Sequence, residues 1–181
     1  MKETTSLPLR LISIVVKGFG RGSTDLGIPT ANLSRDGIKI QKRSSLANAS
    51  FDDLPTGIYW GFCRIGTNPE IFKTACSIGY NPYYGNKTKT VEPHLIASIN
   101  SVHRHESSCK ETLLGEFYNQ PIRLTLVGYL RPELPFEGLE KLVAAIKQDI
   151  LDAERLGDGK DLSTMDEKKW VASDDDISSP S

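Results

Sequence analysis

The densest chemistry in the chain lies between Lys17 and Asn32, where GFGRGSTDLGIPTAN follows an apolar, strand-like run. Gly18, Gly20 and Gly22 allow positive φ and a close approach of backbone N–H groups to an anion, as a phosphate cradle requires. Lys17 and Arg21 place positive charge beside it. Pro29 fixes its own φ and biases Ile28 toward an extended conformation, so Thr30 and Asn32 follow on a chain held in one direction. Two residues apart on an extended chain, they share a face. A hydroxyl and an amide carbonyl are hard oxygen donors, suited to a Mg²⁺ ion already carried on nucleotide phosphates. The same residues also read as a Gly-rich turn entering a strand. No G-K-[ST] closes the loop, so it is not a P-loop, and no helix-forming run follows the glycines, so it is not a dinucleotide fingerprint.

A second candidate is the run Thr90-Val91-Glu92-Pro93-His94-Leu95. Strand alternation puts Glu92 and His94 on one face and Val91 and Leu95 on the other. A carboxylate held rigidly on a strand can accept the proton of an attacking hydroxyl if it comes within hydrogen-bonding distance of it. An isolated strand glutamate is more commonly a solvated or paired surface charge. His94 has three readings: it orients Glu92, contacts a phosphate or substrate, or is a satisfied, partly buried imidazole. Pro93 removes a strand N–H beside the acid, which implies an edge, a bulge or a kink there. Just upstream, NPYYGNK at Asn81 to Lys87 carries turn chemistry, with Gly85 and Lys87 offering flexibility and charge for a flap over a ligand.

These residues need a scaffold, and residues 10 to 130 supply strand-like runs separated by Gly, Pro, Asn and Asp. The expected strands are Arg10 to Lys17, Thr30 to Leu33, Gly57 to Ile65, Phe72 to Ile78, Val91 to Ile99 and Ile122 to Tyr129. Six short strands suit a mainly β fold, an antiparallel barrel whose closure removes exposed edges. Ser34 to Pro55 reads as a long connection, with room for a short helix. Phe136 to Leu156 reads as an α-helix packed on the barrel, because Leu139, Leu142, Val143, Ile146, Ile150 and Ala153 fall on one face, with Gly157 as a C′ residue.

At 181 residues the chain holds one good core. We divide it into a domain over 1–157 and an acidic, polar tail over 158–181, partly disordered except where Trp170 ties it to the body. From Gly157 onward there are seven Asp or Glu and three Lys, a balance of −4 against −1 for the whole chain. The body is therefore net positive and attractive to an anionic nucleotide. No basic stripe interleaves with aromatics, so nucleic acid is not an expected partner. Cys63, Cys76 and Cys109 lack metal or redox spacing and read as reduced thiols. No apolar run is long enough to span a membrane. The N-terminal residues lack a signal-peptide core, so the cytosol is the default location, with association with mitochondria left open.

Three segments together resemble riboflavin kinases, the flavokinase family, of the monofunctional eukaryotic type. They are the G-x-P-T-A-N segment ending at Asn32, SIGYNPYYGNKTKTVEPHLI from Ser77 to Ile96, and GYLRPE from Gly128 to Glu133, in the family's order. The resemblance implies a six-stranded Greek-key barrel and transfer of the γ-phosphoryl group of ATP to the ribityl 5′-hydroxyl of riboflavin, giving FMN and ADP. It implies Glu92 as general base with His94 in support. ATP would be bound by Lys17, Gly18, Gly20, Arg21, Gly22, Thr24, Thr30 and Asn32, with Thr30 and Asn32 also at the metal, Mg²⁺ or Zn²⁺. Leu130, Arg131 and Phe136 would face the flavin, and Phe117 and Tyr118 are further ring contacts or simply lead into the next strand. With no second nucleotide-binding motif, the product is expected to stop at FMN. A monomer is expected. The contrasting reading is a flavin- or nucleotide-binding β-barrel without catalysis.

Overall fold

A computed structural model of the protein describes residues 7–17, 30–42, 50–80, 88–98, 100, 117–175 and 177. The strands are β1 (Leu9–Val16), β2 (Asn32–Leu33), β3 (Lys39–Lys42), β4 (Gly57–Ile65), β5 (Phe72–Tyr80), β6 (Lys89–Ile96) and β7 (Pro121–Arg131), followed by helices α1 (Leu139–Gly157) and α2 (Leu162–Ala172). All strand pairs are antiparallel, in the order β2-β1-β7-β4-β5-β6, with β3 as an extra partner of β1. The meander β4-β5-β6 with β7 returning beside β4 is a Greek key. An isolated bridge between Thr30 and His94, with the Ala31 amide donating to the Pro93 carbonyl at 3.0 Å, brings β2 back to β6 and closes the ring of six.

Alternation along the strands produces two cores. Leu9, Leu11 and Val15 of β1 point inward with Tyr59, Cys63, Phe72, Cys76, Ile78, Val91, Leu95, Ile122, Leu124 and Leu126 to fill the barrel. On the outside, Trp60, Phe62, Ala75 and Ile96 meet Ile150 and Ala153 of α1 and Trp170 and Val171 of α2. β4 is therefore buried on both faces, which explains its nearly unbroken apolar sequence. Gly128 of the GYLRPE segment is required by the same packing, because a Cβ there would run into the indole of Trp60. Cys63 and Cys76 are free, buried thiols, and burial pushes both thiols up.

Several boundaries differ from expectation. β3 and a 3-10 turn at Phe51–Asp53 lie within the stretch read as a connection; Ser50 caps the turn, and its amide donates to Asp53 in return. α1 starts at Leu139 rather than Phe136, after Gly138 at φ +90°. Leu139, expected on the buried stripe, is 61% exposed, while Asp149 is buried. The stretch read as a polar tail contains α2, whose Asp161 side chain accepts from the Thr164 amide and whose Trp170 is buried.

Candidate active site

β6 carries the acid. Its burial alternates: Val91, Pro93 and Leu95 are inward and buried, whereas Thr90, Glu92 and His94 are partly exposed on the outer face. β2 repeats the pattern, with Ala31 and Leu33 buried and Thr30 and Asn32 partly exposed. The Thr30–His94 bridge, extended by two residues, sets Asn32 level with Glu92. Asn32 in turn pairs with Val16, and Lys17 follows on the same rim, exposed, where β1 leads toward the glycine segment. Thr30, Asn32, Glu92 and His94 thus meet on one outward patch. Gly18, Gly20, Arg21, Gly22 and Thr24, and the flap Asn81 to Lys87, lie outside the described residues.

Thr30 Oγ1 is 2.7 Å from His94 Nδ1, so the histidine's neighbour is the threonine hydroxyl on the adjoining strand. Burial lowers the His94 pKa to about 4, leaving a neutral imidazole near pH 7. Glu92 is across from Ser77 of β5. Its carboxyl is pushed above the ordinary range, first by burial and then by the charge of Glu133. That favours a carboxylate that holds a proton more tightly than a solvated one, as a base for an alcohol needs. Thr30 and Asn32 offer two neutral hard oxygens, and the described residues contain no cluster of three or more His, Cys, Asp or Glu. This donor set fits an ion that arrives with phosphate oxygens rather than one held in a protein cage.

The flavin candidates lie around the exit of β7. Arg131 gives Nε and Nη2 to the two carboxylate oxygens of Asp149 on α1, at 2.8 and 2.7 Å, and Nη1 to the Pro132 carbonyl at 3.1 Å. Its guanidinium also lies 5.4 Å from the centre of the Phe136 ring. Leu130 packs against the core between barrel and helices. Phe117 is buried in the barrel core, edge-on to Phe72 with centroids 6.1 Å apart, and Tyr118 packs against the same core. For both residues the described contacts are those of packing.

Two residues missed by sequence reasoning enter here. The Glu133 carboxyl fills the space a side chain at Gly79 would occupy, two residues along β5 from Ser77. Glu133 closes the GYLRPE segment, and its place beside a Pro at the end of a strand was the available signal. Ser77 opens the segment containing Glu92 but carries no distinguishing pattern.

The comparisons with known proteins also find this small Greek-key barrel. The Flavokinase family model, riboflavin kinase, matches residues 5–156, and the chain belongs to the riboflavin kinase family. It is 38% identical over 154 residues to the riboflavin kinase of Mus musculus, covering 83% of this chain and 81% of that one. It is 40% identical over 141 residues to the bifunctional riboflavin kinase/FMN phosphatase of Arabidopsis thaliana, covering 78% of this chain and 31% of that larger protein. The crystal structure of riboflavin kinase from Trypanosoma brucei shares the fold with a TM-score of 0.57 at 21% identity, over 93% of this chain and 92% of that one.

Proposed function

We propose that this chain phosphorylates the ribityl 5′-hydroxyl of riboflavin with ATP, forming FMN and ADP, with Glu92 as general base. The observation that carries the reading is the meeting of Glu92, Asn32, Thr30 and His94 on one outward face of β2 and β6, at the rim where β1 leads into the glycine segment. Phosphoryl transfer needs mainly positioning and charge neutralisation, with one group to orient the nucleophile. The Glu92 carboxylate accepts the 5′-hydroxyl proton as that oxygen bonds to the γ-phosphorus and the bond to the ADP oxygen breaks. Half-burial on a strand fixes the carboxylate, and its raised proton affinity matches the task.

Thr30 and Asn32 would hold the divalent cation by hydroxyl and amide oxygens; when bound, the ion neutralises charge on the phosphates. His94 serves that pair. With its proton on Nε2, the neutral ring accepts the Thr30 hydroxyl proton at Nδ1 and leaves the oxygen lone pairs free for a cation. Lys17, on the rim, lies where it can attract the nucleotide. Mg²⁺ and Zn²⁺ both suit such donors, and Mg²⁺ is the ion we favour because both ligands are hard oxygens.

The test is incubation of the purified chain with riboflavin, ATP and Mg²⁺, with Zn²⁺ in parallel, and chromatographic separation of the flavins. FMN that requires nucleotide and metal and disappears in Glu92→Gln supports the activity and its base. Flavin binding without FMN would instead mark a binding barrel.

A further inference from the structure

Glu92 is not the only carboxylate on the outer face. At the end of β7 the chain turns through Arg131 and Pro132 and lays Glu133 against β5, where its carboxyl takes the room left by Gly79. Ser77 is the β5 residue paired with Glu92. Gly79 lies two residues from Ser77 on the same face of β5, so the Glu133 carboxyl sits one step along that face from Glu92.

No described basic group forms an ion pair with either carboxylate. Arg131 acts on Glu133 electrostatically, but Nε and Nη2 of its guanidinium are given to Asp149. Two partly desolvated acids on one face need donors. Aliphatic hydroxyls are donors of this kind. A polyol chain presents several such hydroxyls in a row, at a spacing that lets one carboxylate take the terminal hydroxyl while a neighbour takes those behind it. A second cation is the other possible occupant, but the described residues supply no cluster of acids or histidines to complete its shell.

We propose that Glu133 is a substrate-recognition residue that accepts hydrogen bonds from the secondary hydroxyls of the ribityl chain and so holds the terminal hydroxyl at Glu92. The proposal rests on the kinase reading above. Glu133 is exposed, as a residue that meets substrate must be, and Gly79 is the position that admits its carboxylate.

Steady-state kinetics of Glu133→Gln and Gly79→Ala, with riboflavin and ATP varied separately, test it. The first variant removes the anionic acceptor; the second keeps Glu133 but fills its seat. Both should raise KM for riboflavin about tenfold or more, the loss expected for one hydrogen bond to a charged acceptor, while KM for ATP stays within about twofold. Competition by lumiflavin, which lacks the ribityl chain, should be unchanged, a readout that a merely structural role would not spare. The proposal is overturned if both variants keep the wild-type KM for riboflavin, if lumiflavin weakens equally, or if only the Mg²⁺ requirement rises. A wild-type chain that makes no FMN removes the kinase reading, and this proposal with it.

Discussion

Thr30 and His94 are joined twice: their backbones form the isolated bridge that closes the barrel, and their side chains meet at 2.7 Å. The strand pairing that completes the fold therefore also orients a candidate ligand hydroxyl. Proton placement decides how that hydroxyl behaves. An unprotonated Nδ1 takes the threonine's proton and leaves its oxygen lone pairs available, whereas Nδ1–H would donate into one of them.

The first prediction concerns acid stability. His94 takes up a proton at 6.5 as a free side chain but at about 4 in the folded protein. Between those values the unfolded state binds more protons. The His94 contribution is thus complete above pH 6.5 and is lost as pH falls toward 4, by about 3 kcal/mol in total. Urea unfolding at pH 7.5 and pH 4.5 should show a smaller acid loss in His94→Asn than in wild type. Equal losses would exclude His94 as the source.

The second prediction separates metal from chemistry. Thr30→Val keeps the shape and removes the hydroxyl; Asn32→Ala removes the amide. Each should raise the Mg²⁺ concentration needed for half-maximal rate by about tenfold, the size of one lost hydrogen-bond-strength ligand contact, with recovery at saturating metal. Metal titrations that superimpose on wild type would rule both residues out as ligands.

A third follows from the raised carboxyl of Glu92. As general base it must be ionised, so kcat should decline in acid through a pKa above the ordinary 4.5 of a glutamate. Glu92→Gln should lower kcat by about 100-fold or more while leaving ATP binding in place. The sign for stability is opposite. A glutamate whose folded pKa is raised weakens the fold at pH 7, where it is charged, so the Gln variant should melt at a higher temperature than wild type at that pH. A full-rate variant, or one that melts lower, contradicts the assignment or its electrostatic basis.

Apolar strand-like runs made β4, β5 and β6 recognisable in sequence, and the alternation along β6 puts Glu92 and His94 on one face. The partner of His94 was not legible. It lies 64 positions away and is brought near only when β2 closes against β6. β3 is four residues of mixed polarity paired only to β1, too short to show a period. α2 escaped notice for a different reason. Its buried side chains include Thr164 and Glu167, and Glu167 is stabilised by Arg10 and Thr125 from distant strands rather than by an apolar stripe. Local pattern shows burial by hydrophobicity, not burial by long-range pairing.

Arg131 supplies the fourth prediction. The resemblance implies that Arg131 faces the flavin; its guanidinium forms a two-pronged pair with Asp149, whose side chain is 7% exposed. Arg131→Ala would leave that acid buried without a partner, a loss of about 3 kcal/mol. The double variant Arg131→Met with Asp149→Leu should recover much of the stability, because both charges leave together. If instead Arg131→Ala unfolds at the wild-type urea concentration while KM for riboflavin rises, the residue serves the ligand and not the junction of β7 with α1.

The last prediction concerns α2, which lies beyond the residues matched by the family model. Trp170 is buried on the outside of the barrel, with the guanidinium of Arg123 4.2 Å and that of Arg10 5.0 Å from its ring centre. Arg123 also donates to the Trp170 carbonyl at 2.9 Å, and Arg64 donates to the Val171 and Ser173 carbonyls at 3.0 and 2.8 Å. Two strand arginines, Arg64 and Arg123, thus hold the helix end by backbone oxygens, while Arg10 pairs with Glu167 and stacks on the indole. Trp170→Ala removes the buried indole and both cation–π contacts, and should destabilise the fold by about 3–5 kcal/mol, the range for deleting a large buried aromatic. Trp170→Phe should retain most of that. The outward patch with Glu92 belongs to β2 and β6, whereas this contact is made on β1, β4 and β7, so folded Trp170→Ala should keep the wild-type KM for riboflavin. Urea unfolding together with kinetics at a temperature where the variant remains folded measures both. A raised KM at unchanged stability would show that α2 acts on the site rather than on the barrel.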